Sequence, residues 1–323
     1  MALFFHTILS DDKCVEELQQ YVSVNSQFPY KSLLPYINEV ENQVIVPLIG
    51  QTTYDLIKTA YINSNAEPEG KNGDLLQKLQ SVIAKLAMAN ATPFLELQFD
   101  ANGVSTINKS ESRTAGYDYQ IQRAIAGFAS SGNKGIEDLL AFLETEVATF
   151  TAYAASANYT ANKAGLVKTA VEFSQFYHIA NSRLTFNALR PTYLGIEEDR
   201  LKPLIGDALY TELTGTVSDA IKKRLLRACK KACVYQTIAD ALELQLPFEI
   251  NADGLRVHYT AQYSNVRYFA PPSMAQVEAV RLACQRRADS TWQDISVILE
   301  EITPPTVATV ISPIAGEEKF IAL

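Results

Sequence analysis

Two stretches of the chain, VPLIGQTTYDLI (46–57) and KPLIGDALYTEL (202–213), share the pattern Pro-Leu-Ile-Gly-x-x-x-Tyr at a distance of 156 residues. The repeat-motif residues are Pro47, Gly50, Tyr54, Pro203, Gly206 and Tyr210. An eight-residue match can arise by chance, so the decisive question is whether the similarity continues at the same spacing on either side.

The similarity does continue. Over residues 15–57, 14 of 43 positions carry the same residue 156 positions later, among them Glu41 with Glu197. Near the end of each copy, EDLLAFLE (137–144) resembles QDISVILE (293–300) at the same spacing. The pattern predicts an internal duplication of units that have the size of domains, about 100–200 residues.

The duplication divides the chain into three parts. We predict a first helical repeat domain over 1–162, a second over 163–302, and an extended C-terminal arm over 303–323. Tyr54 and Tyr210 are interpreted as packing anchors for the bend after a helix, because both copies need them, and not as contacts to a partner.

Each copy has the same predicted order of elements. A first helix precedes a second one that runs from a proline to the Pro-Leu-Ile-Gly end, where Pro47 or Pro203 should stop or kink it. A long helix follows, over 218–244 in the second copy, with apolar residues every three or four positions. Alternation over LRVHYTAQY (255–263) then predicts a strand, and NADG before it a hairpin turn, as does DANG in the first copy. One or two further helices close each copy.

The predicted fold class is therefore mainly α: two tandem duplicated helical domains, each with a small β-hairpin, plus the extended arm. No run of about 18 apolar residues is present, so we expect no transmembrane helix. The opening residues, MALFFHTILSDDK, lack a basic stretch before their apolar patch, and we expect no signal peptide. The formal net charge of −8 argues against binding of a nucleic-acid backbone, which requires lysine and arginine.

The cysteines give no indication of a metal centre. Cys229 and Cys233 are spaced i, i+4 on the apolar face of the predicted long helix, and no further cysteine or histidine lies near them in sequence to complete a zinc site. We predict that these two, together with Cys14 and Cys284, are buried thiols of a reducing compartment. No metal and no cofactor are expected.

Catalytic patterns are also absent from the sequence. The histidines, His6, His178 and His258, are far apart, and no HExxH, P-loop or GxGxxG pattern occurs. The glycine-rich stretch GFASSGNKG (127–135) lacks the spacing of a phosphate-binding loop and is expected to be a plain loop. We therefore assign no catalytic residue and expect a protein that is not an enzyme.

Two features suggest interaction surfaces. Five basic residues lie on one face of the helix over 218–244, at 100° per residue, opposite its apolar stripe: Lys223, Arg224, Arg227, Lys230 and Lys231. The first copy has only Lys78 and Lys85 in its long helix, so folding does not require this face. It is either a solvated face or a contact with an acidic partner surface.

The C-terminal arm is the second feature. A proline pair at 304–305 is followed by a segment rich in valine, isoleucine and threonine, whose apolar residues include Val307, Val310, Ile311, Ile314, Phe320, Ile321 and Leu323. Such a segment is unlike a solvated tail. We predict that it binds a neighbouring protein by adding a strand.

Each copy has a helix that ends in PLIG, then xxxY, then a long helix. In this the chain resembles the head–tail connectors (neck adaptor or head-completion proteins) of tailed bacteriophages, most of all the longer relatives in phages and prophages of Bacteroidetes. The resemblance covers the helical core of both copies. It implies a virion protein at the neck, assembled in the cytoplasm of the bacterial host. It also implies a ring, of twelve copies, below the portal protein and above a tail or neck completion protein. DNA would pass through the ring as cargo, and an acidic wall would let it slide.

Two other classes of function remain open at this point. One is a bacterial helical scaffold or adaptor protein unrelated to virions. The other is an enzyme whose site is assembled from dispersed residues; a deep pocket lined by acids would favour it.

Overall fold

The structure is a computed structural model, and it describes residues 11–64, 70–95, 97–100, 103–106, 118–243, 248–251, 254–257 and 274–302. Helices dominate these residues, which confirms the mainly helical class. Among the described residues, no helix is long and apolar enough to cross a lipid bilayer.

The first half of the chain contains eight α-helices in its described part. They are α1 (Asp11–Gln19), α2 (Tyr30–Val40), α3 (Val46–Ile49), α4 (Gln51–Ser64), α5 (Lys71–Ala91), α6 (Asp118–Thr145), α7 (Thr151–Ala154) and α8 (Ala157–Lys163). A five-residue π-helical segment, Glu41–Ile45, joins α2 to α3 without a break. The long helices α5 and α6 pack against each other.

The second half repeats this order. Its helices are α9 (Ala170–Ser174), α10 (Arg183–Ile196), α11 (Lys202–Ile205), α12 (Asp207–Thr214), α13 (Ala220–Glu243) and α14 (Met274–Ile302). A π-helical segment, Glu197–Leu201, again joins two of them, here α10 and α11. Both π segments, the short helices after them, and the first residues of α4 and α12 and of α6 and α14 are each separated by 156 residues.

Each half has its own hydrophobic core. The first is formed by buried side chains between Cys14 and Tyr153, the second by buried side chains between Leu166 and Ile298. Helical spacing places the apolar residues of α5 and α13 on the face that meets α6 or α14. All four cysteines are buried in these cores and none forms a disulfide.

A short antiparallel strand pair follows the long helix in each half. Strand β1 (Leu97–Asp100) pairs with β2 (Gly103–Thr106), and β3 (Phe248–Asn251) pairs with β4 (Gly254–Val257). In both pairs an Asx residue faces a glycine at the turn: Asp100 with Gly103, and Asn251 with Gly254. The remainder of the strand predicted over 255–263 lies outside the described residues.

The prolines of the second predicted helix do not act as the sequence suggested. Pro35 and Pro191 lie inside α2 and α10, not at a helix start. Pro47 and Pro203 do not stop the helix, because each occupies the first turn of the short helix that continues from the π segment. A π turn adds one residue to the hydrogen-bonded ring, which gives room where a proline lacks its N–H and its ring would strike the preceding turn.

The stretch 127–135 was also predicted wrongly, since it lies within α6. A Cβ on Gly132 would stand 2.4 Å from Leu86 Cδ2, and one on Gly135 would stand 2.9 Å from Val82 Cγ2. These glycines therefore permit the close approach of α5 and α6. Both have helical backbone conformations, so they do not serve as the turn residues that glycine often provides.

Candidate functional site

A buried glutamate organises the π segment of the second half. Glu197 is 1% exposed, and its carboxyl oxygens accept hydrogen bonds from the Tyr193 hydroxyl at 2.5 Å, the Tyr210 hydroxyl at 2.8 Å and the Leu166 N–H at 2.8 Å. Burial is the main cause that raises the pKa of both tyrosines; Cys233 and then Glu197 add to it at Tyr193, and Glu197 adds to it at Tyr210. The glutamate thus ties the π segment to the helix after Gly206 and to the start of the second half.

The first half repeats the pairing of the glutamate with the motif tyrosine, although Ile37 stands where the second half has Tyr193. Glu41 is also 1% exposed, and Tyr54 hydrogen-bonds to it. Burial, with a smaller contribution from Glu41, raises the pKa of Tyr54. The repeat motif therefore holds the bend after the π segment, and the two glycines, at φ +86° for Gly50 and +79° for Gly206, form that bend. Tyr54 is buried and Tyr210 is partly exposed, and the hydroxyl of each is bound to the glutamate of its own half.

This cluster is a structural device. Both carboxyl groups are buried, and their partners belong to the same half of the chain. Within the part of the chain that the structure describes, no group of three or more histidine, cysteine, aspartate or glutamate side chains is placed to hold a metal ion. The surface of α13 is the better candidate for function.

The five basic residues lie on the outer face of α13, as the helical spacing predicts. Lys223, Arg224 and Arg227 are exposed, whereas Lys230 and Lys231 are half-buried. On the opposite side, α13 is buried against the second core. We call this set of five the basic face.

The basic face is only partly neutralised. Arg224 forms an ion pair with Glu301 at the end of α14, and Lys230 lies 3.5 Å from Glu172 of α9. Lys223, Arg227 and Lys231 form no ion pair with the residues that the structure describes. Three positive charges thus remain available to a partner.

A groove runs along the basic face between α13 and α14. It has a volume of about 570 Å³ and is lined on one side by Arg224, Arg227 and Lys231 and on the other by Asp294 and Val297. A smaller cavity of about 390 Å³ continues it past Phe176 toward Lys223 and Lys230. The groove therefore combines positive charge with apolar surface, a composition suited to a protein segment that carries both acidic and apolar side chains.

The first half contains the equivalent groove with different chemistry. A shift of 150 residues places the buried positions of α5 on those of α13, for example Leu75 on Leu225 and Leu79 on Cys229. On this alignment the groove between α5 and α6, about 480 Å³, has Asp74, Gln77 and Ser81 where the second half has Arg224, Arg227 and Lys231. The fold supplies the groove in both halves, and both grooves contain basic residues. The first is lined by Lys78, Lys85 and Lys134 together with Asp74 and Asp138, and the second by Arg224, Arg227 and Lys231 together with Asp294. The basic residues thus stand at different positions of the two long helices.

Sequence reasoning found the basic side of the groove and missed the α14 side. Asp294 and Val297 belong to a helix more than 60 residues further along the chain, and only the packing of α13 on α14 brings them to the groove. The paired Glu41 and Glu197 were visible as an identity in the two copies, but their position on a π segment was not. The predicted arm residues, 303–323, lie outside the described residues, as do His6 and His258.

Comparison with known proteins agrees with the two-part organisation. No curated protein and no solved structure matches the chain. A model described as a family of unknown function (DUF6712) matches residues 45–163 and 201–304, so that the two matched segments begin 156 residues apart and both include the groove-forming long helices. These segments make up more than half of the chain, which therefore belongs to the DUF6712 family of unknown function.

Proposed function

We propose that this chain is a structural protein of the neck of a tailed bacteriophage, a head–tail connector that forms a ring below the portal protein and continues the DNA channel toward the tail. It is built from two tandem copies of one helical unit, each with its small hairpin, followed by an extended arm over 303–323. It is not an enzyme. Its partners are further copies of itself, the portal protein and a tail or neck completion protein, and DNA passes through as cargo.

The internal duplication is supported by features that sequence identity alone does not require. Both halves have a π segment that begins with a buried glutamate, Glu41 or Glu197. Both have a glycine with positive φ nine residues after it, Gly50 or Gly206. In both, the tyrosine four residues later hydrogen-bonds to that glutamate.

The observation that carries the proposal is the groove that both halves share but line with different residues. A connector joins two different structures, so its two ends need different surfaces. Two copies of one unit, with Arg227 and Lys231 in the second where the first has Gln77 and Ser81, provide such a difference on a common scaffold. The basic face would meet an acidic surface of the portal or of a neighbouring subunit, since charge complementarity favours that orientation over others.

The charge of the whole chain fits passage of DNA. With a formal net charge of −8, the average surface repels a phosphate backbone, so DNA can move past without being held. The basic face is a local exception, and in this proposal it is covered by protein in the assembled neck.

Electron microscopy tests the proposal directly. The purified protein should form rings, and antibody against it should label bacteriophage particles at the neck, between head and tail. Rings without any labelling of particles would instead favour a bacterial scaffold unrelated to virions. A monomer that neither forms rings nor labels particles would overturn the proposal.

A further inference from the structure

The junction between the two halves is built around one side chain of α6. The Glu137 carboxylate accepts hydrogen bonds from the Ser182 hydroxyl at 2.7 Å and from the N–H groups of Arg183 at 2.8 Å and Leu184 at 2.9 Å. These three donors lie at the N-terminus of α10, where backbone N–H groups lack partners within the helix. A carboxylate is favoured there by charge as well as by hydrogen bonding.

Further contacts close this junction. Arg183 donates to Glu144, two turns further along α6 than Glu137, with a nitrogen–oxygen distance of 2.9 Å. Leu184 packs against the first core. As a result the α6 face is largely covered: Leu140 is only 3% exposed and the Glu137 side chain 13%.

The corresponding face of the second half is open. The positions 156 residues after Glu137, Leu140, Ala141 and Glu144 all lie on α14 and are all exposed; they are Gln293, Ser296, Val297 and Glu300. Val297 is 57% exposed, more than most large apolar side chains of the described chain. We call these four residues the open α14 face. A cavity of about 540 Å³ lies beside it, lined among others by Gln293 and Ser296.

The surface that would complement this face is also open, at the other end of the chain. The counterparts of Ser182, Arg183 and Leu184 are Ser26, Gln27 and Phe28, just before α2. Ser182 is 2% exposed, whereas Ser26 and Gln27 are exposed. Helix α2 begins after Pro29 and has no side-chain cap, whereas α10 is capped by Ser182.

We propose that the open α14 face binds residues 26–28 of a second copy of this chain, so that the positions equivalent to the Glu137–Ser182 junction meet between two chains. The two surfaces differ, so the contact is head-to-tail and continues from copy to copy into a closed ring or an open filament. This inference rests on the proposed function, because it names the contact from which the connector ring would be built.

The chemistry of the contact follows from the substitutions between the halves. Gln293 retains an oxygen that can accept from the Ser26 hydroxyl, whereas the N–H groups of Gln27 and Phe28 donate to Asn25 within their own segment. Val297 supplies apolar area, and so does the exposed part of Phe28, which also packs against the first core of its own chain. Gln27 stands where Arg183 does, so the ion pair with Glu144 has no charged counterpart, and the contact between chains should depend little on salt.

The C-terminal segment of the same chain is the other possible occupant. Its counterpart in the first half, the region after α6, forms α7 and α8, and these helices pack against α4 and α3. A segment that followed the same path in the second half would cover α12 and α11 and leave Gln293 and Val297 open. The pattern of the first half therefore favours a second copy on the open α14 face.

Cross-linking of cysteine variants tests the proposal. Full-length Ser26→Cys and Gln293→Cys proteins are prepared separately, mixed, and treated with a short bis-maleimide; the four native cysteines are buried. The mixture should give a cross-linked dimer that neither variant gives alone, and the Ser26→Cys/Gln293→Cys double variant should give a ladder of oligomers. A Glu137→Cys/Ser182→Cys variant, which should link within one chain, verifies that the reagent spans this geometry. Absence of the mixed dimer when this variant links would overturn the proposal.

A surface variant provides a second measurement. Val297→Glu should weaken self-association in sedimentation experiments by roughly tenfold or more, equally at low and high salt, because burial of a valine is worth at least about 1.4 kcal/mol. Val280→Glu is the matched control: it lies on α14, is 42% exposed, and has an exposed counterpart in the first half. Equal effects of the two variants would contradict the proposal. If rings form but no mixed cross-link appears, the proposed function survives and this contact does not; if the cross-link forms but particles are not labelled, the reverse holds.

Discussion

The Tyr210 hydroxyl donates a hydrogen bond of 2.8 Å to the carboxyl group of Glu197, 13 residues earlier in the chain. The equivalent pair in the first half, Tyr54 and Glu41, is also hydrogen-bonded. This pairing explains why the Pro-Leu-Ile-Gly-x-x-x-Tyr pattern occurs twice: the proline follows a π segment, the glycine turns the chain, and the tyrosine returns to the glutamate that begins the segment. Interactions of this kind can be tested through the free energy of unfolding.

Glu197→Gln should destabilise the protein by about 1–3 kcal/mol, because the new NH₂ group meets hydroxyl and N–H donors where an acceptor is required. Urea unfolding measures this change. Glu198→Gln is the control, since the Glu198 side chain is 65% exposed and pairs with Lys202 at the surface. Similar losses for the two variants would mean that the buried cluster around Glu197 contributes little.

The two motif glycines should differ in their sensitivity to alanine. Both have a positive φ with extended ψ, a region that other residues avoid at a cost of about 1–3 kcal/mol. At Gly50 a Cβ would also stand 2.9 Å from Ser156 Cβ, whereas at Gly206 nothing lies within 4 Å. Gly50→Ala should therefore lower the unfolding free energy more than Gly206→Ala, and the reverse order would contradict this packing.

Stability should fall at alkaline pH. Burial raises the pKa of Tyr193 and Cys233 and raises that of Cys229 to about 12. The unfolded chain loses these protons first, from about pH 8.5 for a thiol and about pH 10 for a phenol. Above those values the folded state binds more protons, so the stabilisation is complete below about pH 8.5 and is lost as the pH rises.

Urea unfolding at a series of pH values above about 8 measures this loss. Each group contributes a slope of up to about 1.36 kcal/mol per pH unit. Tyr193→Phe should reduce the slope above pH 10 by one such contribution. An unchanged slope in this variant would show that the Tyr193 hydroxyl titrates alike in the folded and unfolded chain.

The sequence was sufficient to predict the helical class and the position of the basic face, because both depend on local periodicity. Lys223, Arg227 and Lys230 recur at three or four positions, and a helix puts such residues on one side whatever it packs against. The order of the elements could be predicted from the repetition, since each element was assigned only where both copies of the sequence agreed with it.

Features that depend on contacts between distant segments could not be read in this way. A proline ordinarily ends or kinks a helix, and nothing local indicates that Pro47 and Pro203 follow a π segment whose glutamate is held by a later tyrosine. The glycines of 127–135 suggested a loop, whereas they allow α5 to approach α6. The α14 side of the groove depends in the same way on tertiary packing.

The basic face should bind its partner through charge. Replacing Lys223, Arg227 and Lys230 with serine should weaken assembly at low ionic strength and have little effect at high ionic strength, where screening already removes the attraction. Quantitative microscopy or light scattering of assemblies at two salt concentrations measures this. The control replaces Lys78, Lys85 and Lys134 of the first-half groove with serine, which changes the net charge equally. An unchanged yield at low salt, or equal effects of the two sets, would indicate a merely solvated face.

Removal of residues 303–323 should leave a folded, soluble protein that no longer joins its assembly. Helix α14 ends at Ile302, which packs against the second core, so the deletion preserves that core. Each apolar side chain that the segment buries on a partner is worth about 1.5–3 kcal/mol. Ordering its backbone costs about 1–2 kcal/mol per residue, so binding requires that its backbone also form hydrogen bonds, as an added strand does.

Two measurements on the truncated protein distinguish a partner from the chain's own core. Urea unfolding should give the full-length midpoint, because a segment held by another protein contributes nothing to the isolated chain, and co-sedimentation with full-length protein should be lost. The control carries a shuffled sequence of residues 306–323 after the intact Pro304 and Pro305, so that length and composition are unchanged while any side-chain register is removed. It should behave like the truncation.

A midpoint lowered in the truncated protein would show instead that the segment packs on its own half, as α7 and α8 do in the first half on α4 and α3. Normal assembly without the segment would show that it joins nothing.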